Sequence, residues 1–491
     1  MSAQTGLLEN ALGLDGKQVK RNMSVSSPVL YRVCRWILRV TLGFYFTRIE
    51  RFHPERVPLA GPVLFTSNHP NSLTDAFVIG ACVARKVNFV ATVQLFRFRA
   101  ARWVLTRCGV IPINRVKDDP RAMHTVKESF EACFRVLERG ETVAIFPEGI
   151  THDDPQLKTV KTGAARMALE LEHRHGGELG LQIVPVGLTF SAKEIYRSTA
   201  LANFGEPIQV AEFLGGYAEK RHECIHALTG EIESRIRGLI LHLPDLERAR
   251  VVDAVKRLYL ERLRVGNIVI HEPLSPQTGE LLLTQAIARA ADRAFTEHPE
   301  RAAQFVHRLR HYERCLNRLR LSDEVLAHFP EPTRMLAQSL AWTMFGLAGA
   351  PIALYGWVHR LIPYGFVWLA LKKFARGGGD KTHVSTATVL VGMVAFTLFY
   401  ALYIILFHAL FGWPASLWYA LSLPVASLVA HYYLREMRRL VASLRAAAVL
   451  LRAPRAAGRL IAERATLIAL IEAERQDLAS APVAASGLNT Q

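Results

Sequence analysis

The chain has 491 residues, of which 50% are hydrophobic, and its formal net charge is +17. It is too long for one ordinary domain and apolar enough to contain membrane segments, so we expect a globular lobe followed by a membrane part. A positive charge of this size can indicate nucleic-acid binding. Here lysine and arginine residues flank apolar stretches and amphipathic helices, so the expected partner is the lipid bilayer and not nucleic acid.

The N-terminal region, residues 1–49, contains an apolar stretch from Val29 to Phe46 that is interrupted by Arg32, Arg35 and Arg39. The three arginines argue against a cleavable signal peptide. They recur at near-helical spacing on one side, which favours an amphipathic helix lying in the membrane interface over a helix that spans the bilayer. The alternative is a core helix with three exposed arginines.

The stretch from Ser67 to Asp75 places an imidazole and a carboxylate close together in the chain. Apolar residues 63–65 before it predict a buried strand, and apolar residues 76–79 after it predict the start of a helix. On such a turn Asp75 can accept a hydrogen bond from the ring of His69. A histidine held in this way can act as a general base near neutral pH. The alternative is a capping aspartate beside a structural histidine.

Three further apolar strands are predicted, and polar or turn residues follow or lie close to the end of each. Asn114 and Arg115 end the first, and a guanidinium there is suited to gripping a phosphate. The second runs straight into Pro147, Glu148 and Gly149. In a parallel sheet, these ends and His69 would share the edge where ligands bind. The three segments are Gly109 to Arg115, Thr142 to Gly149, and Leu181 to Gly187.

Four sequence blocks, in this order, resemble the phospholipid/glycerol acyltransferase family over roughly residues 50 to 210. They are Asn68-His69 to Asp75, Gly109 to Arg115, Phe146-Pro147-Glu148-Gly149, and Ile183 to Val186. Four ordered blocks are far more specific than any one of them. The resemblance implies an α/β fold, with a glycerol-3-phosphate acyltransferase-like mixed sheet and surrounding helices, in an acyltransferase domain that we place at residues 50–215.

The same resemblance implies roles for individual residues. His69 would be the general base and Asp75 would orient it, while a glycerophosphate hydroxyl attacks an acyl thioester, without a covalent acyl-enzyme, a metal or another cofactor. The donor would be acyl-CoA or acyl-ACP. Arg115 would hold the acceptor phosphate, and Glu148 with Gly149 would shape the acceptor pocket. The residues expected to bind substrate are Asn114, Arg115, Phe146, Pro147, Glu148, Gly149, Lys158 and Lys161.

Two departures from the family pattern affect the site. The family usually has four residues between its histidine and aspartate, whereas Pro70 to Thr74 make five here, so the turn must bulge by one residue. The third block lacks an arginine shortly after Gly149, and in this it resembles the glycerol-3-phosphate and dihydroxyacetone-phosphate acyltransferase branch with C-terminal membrane spans. Lys158 and Lys161 precede a helix pattern, where they would favour an anion. The alternative is two solvated surface lysines.

The histidine and cysteine spacings predict no metal site. His69, His152 and the pair His173 and His175 lack the helical or cysteine spacing of a zinc centre. The six cysteines are scattered and form no CxxC pair, which is typical of reduced thiols in a cytosol-facing protein.

Residues 216–332 predict a charged helical subdomain. Amphipathic helices are expected at 248–264, 279–296 and 301–321, with breaks near Pro273 and Pro299. A short last strand of the lobe is expected near residues 205–210.

Residues 333–434 predict a membrane region with apolar segments at about 335–358, 384–411 and 415–434. We expect a turn at Gly412-Trp413-Pro414, with the basic flanks on the cytoplasmic side. A break at His359 to Pro363 would make residues 335–371 a re-entrant or short hairpin element. Buried helices of a large soluble protein are the alternative. Residues 435–491 predict a basic helical tail along the membrane surface with a disordered end.

The sequence therefore predicts a multi-pass membrane O-acyltransferase of phospholipid biosynthesis with its catalytic domain facing the cytoplasm. The expected acceptor is glycerol 3-phosphate or 1-acyl-glycerol 3-phosphate. Two alternatives stay open: an acyltransferase for another lysophospholipid or polar-headed alcohol, and a catalytically silent lipid-binding or scaffold protein of the same fold.

Overall fold

A computed structural model describes residues 28–113, 123–152, 156–191, 196–240, 246–265, 276–319, 332–376, 384–452 and 454–480, and the single positions Leu321, Asp323 and Leu326. The described residues form two compact units. The first lies within Met1–His242 and Leu371–Leu390, and the second within Leu243–Ala370 and Val391–Gln491.

The described part of the first unit is built on an eight-stranded mixed sheet in the order β1-β7-β6-β2-β5-β3-β4, with β8 paired to β6. The pairs are parallel except those of β6 with β7 and β8. Every residue of β2 is buried, as a continuous apolar strand covered on both faces should be. The strands are β1 (Arg48–Phe52), β2 (Val63–Ser67), β3 (Val87–Thr92), β4 (Ile111–Ile113), β5 (Thr142–Ile145), β6 (Gln182–Phe190), β7 (Thr199–Phe204) and β8 (Ile208–Gln209).

Helices cover both faces of this sheet and enclose two apolar cores. One core packs α4, α5 and α6 on the sheet, and the other packs α1 and α2 on the opposite face. The mixed α/β sheet with surrounding helices is the fold that the sequence predicts. The helices of this unit are α1 (Pro28–Tyr45), α2 (Leu73–Cys82), α3 (Arg99–Arg107), α4 (Met123–Glu138), α5 (Gly163–Arg174) and α6 (Arg221–Leu239).

The boundary of the lobe differs from the predicted one at residue 215. Helix α6 falls within the predicted range of the charged subdomain, 216–332, but its apolar face, including Leu228, Ile232 and Ile236, is buried in the core against the sheet. The compact unit therefore extends to His242. The charged residues that suggested a separate subdomain lie on the solvent face of α6, where they form i,i+4 ion pairs such as Arg235 with Glu231.

Helix α1 is amphipathic, as expected, but two of its arginines contact the protein near the end of α2. Arg35 donates to the carbonyl oxygens of Val83 and Ala84, and Arg39 donates to Ala81 O, so these arginines turn towards the end of α2. The exposed face is instead apolar, with Trp36 at 65% exposure, and carries Val29, Val33, Ile37, Val40 and Phe44. The arginine side chains find unpaired helix-end carbonyls there, which are good acceptors for guanidinium groups.

The second unit is helical where it is described. Helices α7 (Leu246–Val265), α8 (Pro276–Glu297) and α9 (Pro299–Leu319) confirm the three predicted amphipathic helices. Helix α12 (Pro454–Ser480) packs with α7 and α9 in a shared core, where Leu467 is fully buried. Arg464 of α12 also forms an ion pair with Asp323 at 2.9 Å. The predicted helix in this part of the tail is present, and its buried apolar residues pack against protein.

The apolar helices α10 (Pro332–Arg376) and α11 (Val384–Arg452) contain the predicted membrane region. Helix α10 continues through Pro351 and Pro363, so the predicted break at His359 to Pro363 is wrong. A proline removes one hydrogen bond and kinks a helix, but an apolar helix packed against others need not end there.

Helix α11 is interrupted at Gly412, where φ is 74°, as the sequence predicts. The chain folds back at this point. The reversal is shown by the rings of Phe407 and Tyr419, on either side of Gly412, which stack with centroids 4.2 Å apart. By length and composition, the described residues contain one helix able to cross a membrane, Thr386–Ala442, and this stretch includes both arms of the hairpin.

Gly356 of α10 allows a close approach to α11. A Cβ atom added there would lie 2.0 Å from the carbonyl oxygen of Ala426, so Gly356→Ala must push the two helices apart. We expect this change to destabilise the helical unit by about 1–3 kcal/mol, the usual cost of overpacking. The measurement is the thermal unfolding midpoint of the full chain in detergent.

The matched control is Gly365→Ala in the same helix, where an added Cβ atom has no neighbour within 4 Å. That variant should unfold at the temperature of the unchanged protein or slightly above it, because alanine favours helix. Equal midpoints for both variants would show that the close approach at Gly356 does not contribute to stability.

Candidate active site

The site lies where β2 and β5, neighbours in the sheet, end at the same edge. His69 follows β2 by two residues and Phe146 directly follows β5. Their rings stack with centroids 4.1 Å apart and planes inclined by 13°. The parallel register therefore brings together two of the residues that the sequence analysis selects, and the phenyl face limits the rotation of the imidazole.

Asp75 holds the ring of His69 from the other side. The Nδ1–H group of His69 donates to Oδ2 of Asp75 at 2.9 Å, and the aspartate side chain is 0% exposed. The same oxygen accepts a hydrogen bond of 2.7 Å from the backbone N–H of Asn71. Donation from Nδ1 fixes the tautomer, so Nε2 keeps its lone pair and can accept a proton from a substrate.

The extra residue between His69 and Asp75 is accommodated by the backbone of the turn. Ser72 adopts φ 53° and ψ −135°, a combination that residues with side chains seldom adopt. The following amides donate back into the turn, from Thr74 N to Asn71 O and from Asp75 N to Ser72 O, both at 3.2 Å. This bulge brings Asp75, in the first turn of α2, back to the ring.

Glu148 supports the turn by hydrogen bonds to its backbone. One carboxylate oxygen accepts from the backbone N–H of His69 at 2.8 Å, and the other accepts from the backbone N–H of Lys158 at 2.8 Å. Nε2 of His152 lies within hydrogen-bond distance of that second oxygen. The side chain of Glu148 is 0% exposed. The geometry therefore gives Glu148 a positioning role, whereas the sequence analysis expects it to line the acceptor pocket.

Asn68 and His152 also hold the site together, and their roles are not predicted from the sequence. The side-chain amide of Asn68 donates to Leu188 O at 2.9 Å and accepts from Leu188 N at 2.7 Å, so it ties the end of β2 to β6. A polar residue directly after a buried strand is the signal that could have indicated this role. His152 follows Glu148 by four residues, and this spacing is the signal that could have indicated its contact with the carboxylate.

The lysines of the site lie on the segment that leads into α5. The backbone N–H of Lys161 donates to Pro147 O at 3.0 Å. Gly149 has φ 66°, and a Cβ atom there would lie 2.8 Å from Nζ of Lys161, so this ammonium group rests directly on the turn after β5. Within the described ranges, no carboxylate pairs with Lys161. An ammonium group next to a helix N-terminus is suited to an anionic ligand.

The remaining expectations concern Asn114, Arg115 and metal ligands. Asn114 and Arg115 lie outside the described residues. Among the residues that are described, no three histidine, cysteine, aspartate or glutamate side chains are grouped so as to hold a metal ion.

This part of the chain is similar to known acyltransferases. Residues 48–189 match the model of the Acyltransferase family, and this range contains His69, Asp75 and Glu148. An uncharacterized acyltransferase of Schizosaccharomyces pombe is 25% identical over 316 residues, 47% of this chain and 47% of the relative.

Two further relatives have more specific names. Glycerol-3-phosphate O-acyltransferase 2 of Saccharomyces cerevisiae is 33% identical over 27% of this chain and 18% of its own length. The chloroplastic 1-acyl-sn-glycerol-3-phosphate acyltransferase of Arabidopsis thaliana is 27% identical over 30% of this chain and 38% of its own length. The alignments thus cover less than half of each of these three relatives.

Proposed function

We propose that this chain, which carries an acyltransferase domain over residues 48–189, transfers a fatty acyl group from acyl-CoA or acyl-ACP to a glycerophosphate hydroxyl. The acceptor is glycerol 3-phosphate or 1-acyl-glycerol 3-phosphate, and the product serves phospholipid biosynthesis. The observation that carries the proposal is the 2.9 Å hydrogen bond from Nδ1 of His69 to the buried carboxylate of Asp75. It leaves Nε2 as the acceptor for the hydroxyl proton.

The chemistry needs only this base and a well-placed thioester. Nε2 of His69 takes the proton of the acceptor hydroxyl while the hydroxyl oxygen bonds to the thioester carbonyl carbon. The carbon–sulfur bond then breaks, and the leaving sulfur takes the proton back from the ring, so the products are an ester and a free thiol. General-base catalysis of this kind typically contributes about 10²–10⁴ in rate, and alignment of the reactants contributes further.

The acceptor phosphate is assigned to the cationic groups around the site. Lys161 supports this assignment because its ammonium group lies next to Gly149 and because the residue precedes α5. Arg115 and Asn114 complete the proposed phosphate site by the family resemblance. The printed names of the yeast and plant relatives favour a glycerol 3-phosphate or a 1-acyl-glycerol 3-phosphate acceptor.

The experiment that tests the proposal is an acyl-transfer assay with the full chain in detergent. Radiolabelled acyl-CoA and acyl-ACP are offered with glycerol 3-phosphate, 1-acyl-glycerol 3-phosphate, other lysophospholipids and polar-headed alcohols. We expect transfer to one of the two glycerophosphates and a loss of at least about 10²-fold in kcat in His69→Ala, since the base is removed. His222→Ala, which changes an exposed histidine of α6, should keep full activity.

The outcomes of this panel separate the alternatives. Transfer only to another lysophospholipid or alcohol would replace the proposed acceptor. Transfer to no acceptor would favour a silent lipid-binding protein. An active His69→Ala variant would remove the general-base mechanism.

Lys161→Met tests the phosphate site. Loss of one charge-assisted hydrogen bond should raise KM for a phosphorylated acceptor by about tenfold or more. KM for the acyl donor should not change, because the donor does not use this group. Lys220→Met, on an exposed lysine that pairs with Glu223, is the control and should leave both KM values unchanged. An unchanged acceptor KM in Lys161→Met would exclude Lys161 from the phosphate site.

We further propose that the protein is bound to the membrane with its catalytic unit on the cytoplasmic side. The two arms of α11 would cross the bilayer as a hairpin with Gly412 on the far side. In the first arm, residues 391–411 follow the part of α11 that belongs to the first unit and are 21 residues long, enough to cross an apolar core of about 30 Å. The basic residues before and after the hairpin, including Lys372, Lys373, Arg435 and Arg438, would then be cytoplasmic. The exposed apolar face of α1 would lie in the interface.

Labelling with a membrane-impermeant maleimide in sealed vesicles tests this arrangement, with peptide-resolved mass spectrometry as the readout. Trp413→Cys should react only from the non-cytoplasmic side and Lys372→Cys only from the cytoplasmic side. Trp36→Cys should react slowly in membranes. It should react rapidly in the full chain after the lipid has been replaced by an amphipol. Reaction of positions 413 and 372 from the same side would disprove the hairpin, and rapid reaction of position 36 in membranes would disprove the interfacial position of α1.

A further inference from the structure

We propose that Thr386, in the first turn of α11, is a positioning residue for the turn that carries His69 and Asp75. This inference rests on the proposed acyl-transfer function. The family match ends at residue 189, so it does not contain this residue. The contact joins positions more than 300 residues apart in the chain.

The contact is buried and specific. Oγ1 of Thr386 lies 3.2 Å from Oγ1 of Thr74 and 3.5 Å from the carbonyl oxygen of Asn71, to which it can donate. Thr386 is 6% exposed, Asn71 1% and Thr74 0%. One helical turn later, Val389 is buried in the same apolar core as Phe65 and Val78. Residues 384–390 therefore belong to the catalytic unit, although they begin the longest apolar helix of the described chain.

Asn71 links the hydrogen bond to Asp75 with the bulge of the turn. Its N–H group donates to Oδ2 of Asp75, the same oxygen that holds the ring of His69. The next residue, Ser72, carries the unusual backbone conformation that absorbs the extra residue of the turn. Such conformations persist only where the surrounding structure fixes them. Thr386 contacts the carbonyl group that links these two residues, so it fixes the peptide between the carboxylate contact and the bulge.

This arrangement accounts for the longer turn. The usual family turn has one residue fewer between histidine and aspartate, whereas this chain has a bulge directly after Asn71, whose carbonyl oxygen accepts from the backbone N–H of Thr74 at 3.2 Å. A buried carbonyl oxygen can accept two hydrogen bonds, and the hydroxyl of Thr386 at the start of α11 can donate the second one. The turn that leads to Asp75 is thus packed, through Asn71 and Thr74, against the first turn of the helix that we assign to the membrane hairpin.

The test compares three variants of the full chain in detergent: Thr386→Val, Thr386→Ser and Thr397→Val. Valine keeps the shape of threonine and removes the hydroxyl, whereas serine keeps the hydroxyl. Thr397 is an exposed threonine of the same helix and serves as the matched control. We expect Thr386→Val to lower kcat by about tenfold, within the range of about 10²-fold that a 1 Å misplacement of reacting groups can cost. KM for both substrates should stay within about twofold, and Thr386→Ser and Thr397→Val should match the unchanged protein.

Hydrogen exchange gives a second readout that does not depend on activity. The amide of Asn71, measured in a peptide covering residues 68–75, should exchange faster in Thr386→Val than in Thr386→Ser or Thr397→Val. Unchanged kcat and unchanged exchange in Thr386→Val would overturn the inference. An equal loss of kcat in the valine and serine variants would also overturn it, because the effect would then come from packing and not from the hydroxyl. An unchanged protein that is inactive on every acceptor would refute the proposed function instead, and the exchange rates would still report on the contact.

Discussion

The site depends on one buried oxygen atom, Oδ2 of Asp75. It accepts hydrogen bonds from the ring of His69 and from the backbone N–H of Asn71, at 2.9 and 2.7 Å. A carboxylate taken out of water is strongly destabilising unless donors replace the lost hydration. Because both donors converge on one atom, the conformation of the turn and the orientation of the base cannot change independently. The backbone of the turn is thus part of the geometry that orients the proposed base.

A second buried carboxylate fixes the other end of the histidine. Glu148 accepts from the backbone N–H of His69, while Asp75 accepts from its ring. The face of the ring rests on Phe146. Three different neighbours therefore hold the backbone, the ring edge and the ring face of His69. Asp75 lies in α2, and Phe146 and Glu148 lie in the chain after β5. A base held on three sides loses little entropy when substrate binds, which is the physical content of preorganisation.

The sequence is sufficient to predict the local elements of this site but not all of their partners. The strand before His69, the helix after Asp75 and the turn at Gly412 follow from apolar periodicity and from turn residues, which are local signals. These local signals do not predict which face of α1 packs on the lobe. The spacing of Arg35 and Arg39 is the same whether their side chains point to water or to backbone carbonyl groups. Glu148 is conspicuous in its motif, yet its burial depends on Lys158 and His152 folding over it. Thr386 carries no local signal at all, since its partners in the turn are 312 and 315 positions away.

Helix α2 connects the catalytic turn with the face that we assign to the membrane interface. It is only 10 residues long, about 15 Å. Asp75 lies in its first turn, where the positive end of the helix dipole favours a carboxylate. Arg35 and Arg39 occupy its other end, where the carbonyl groups and the negative end of the dipole favour cations. Since α1 uses its arginines to close α2, its apolar residues must face outwards, as Trp36 does. The dipole of α2 therefore favours Asp75, which orients the proposed base, at one end. At the other end it favours the two arginines of α1, so the apolar face of α1 is the one that we propose contacts lipid.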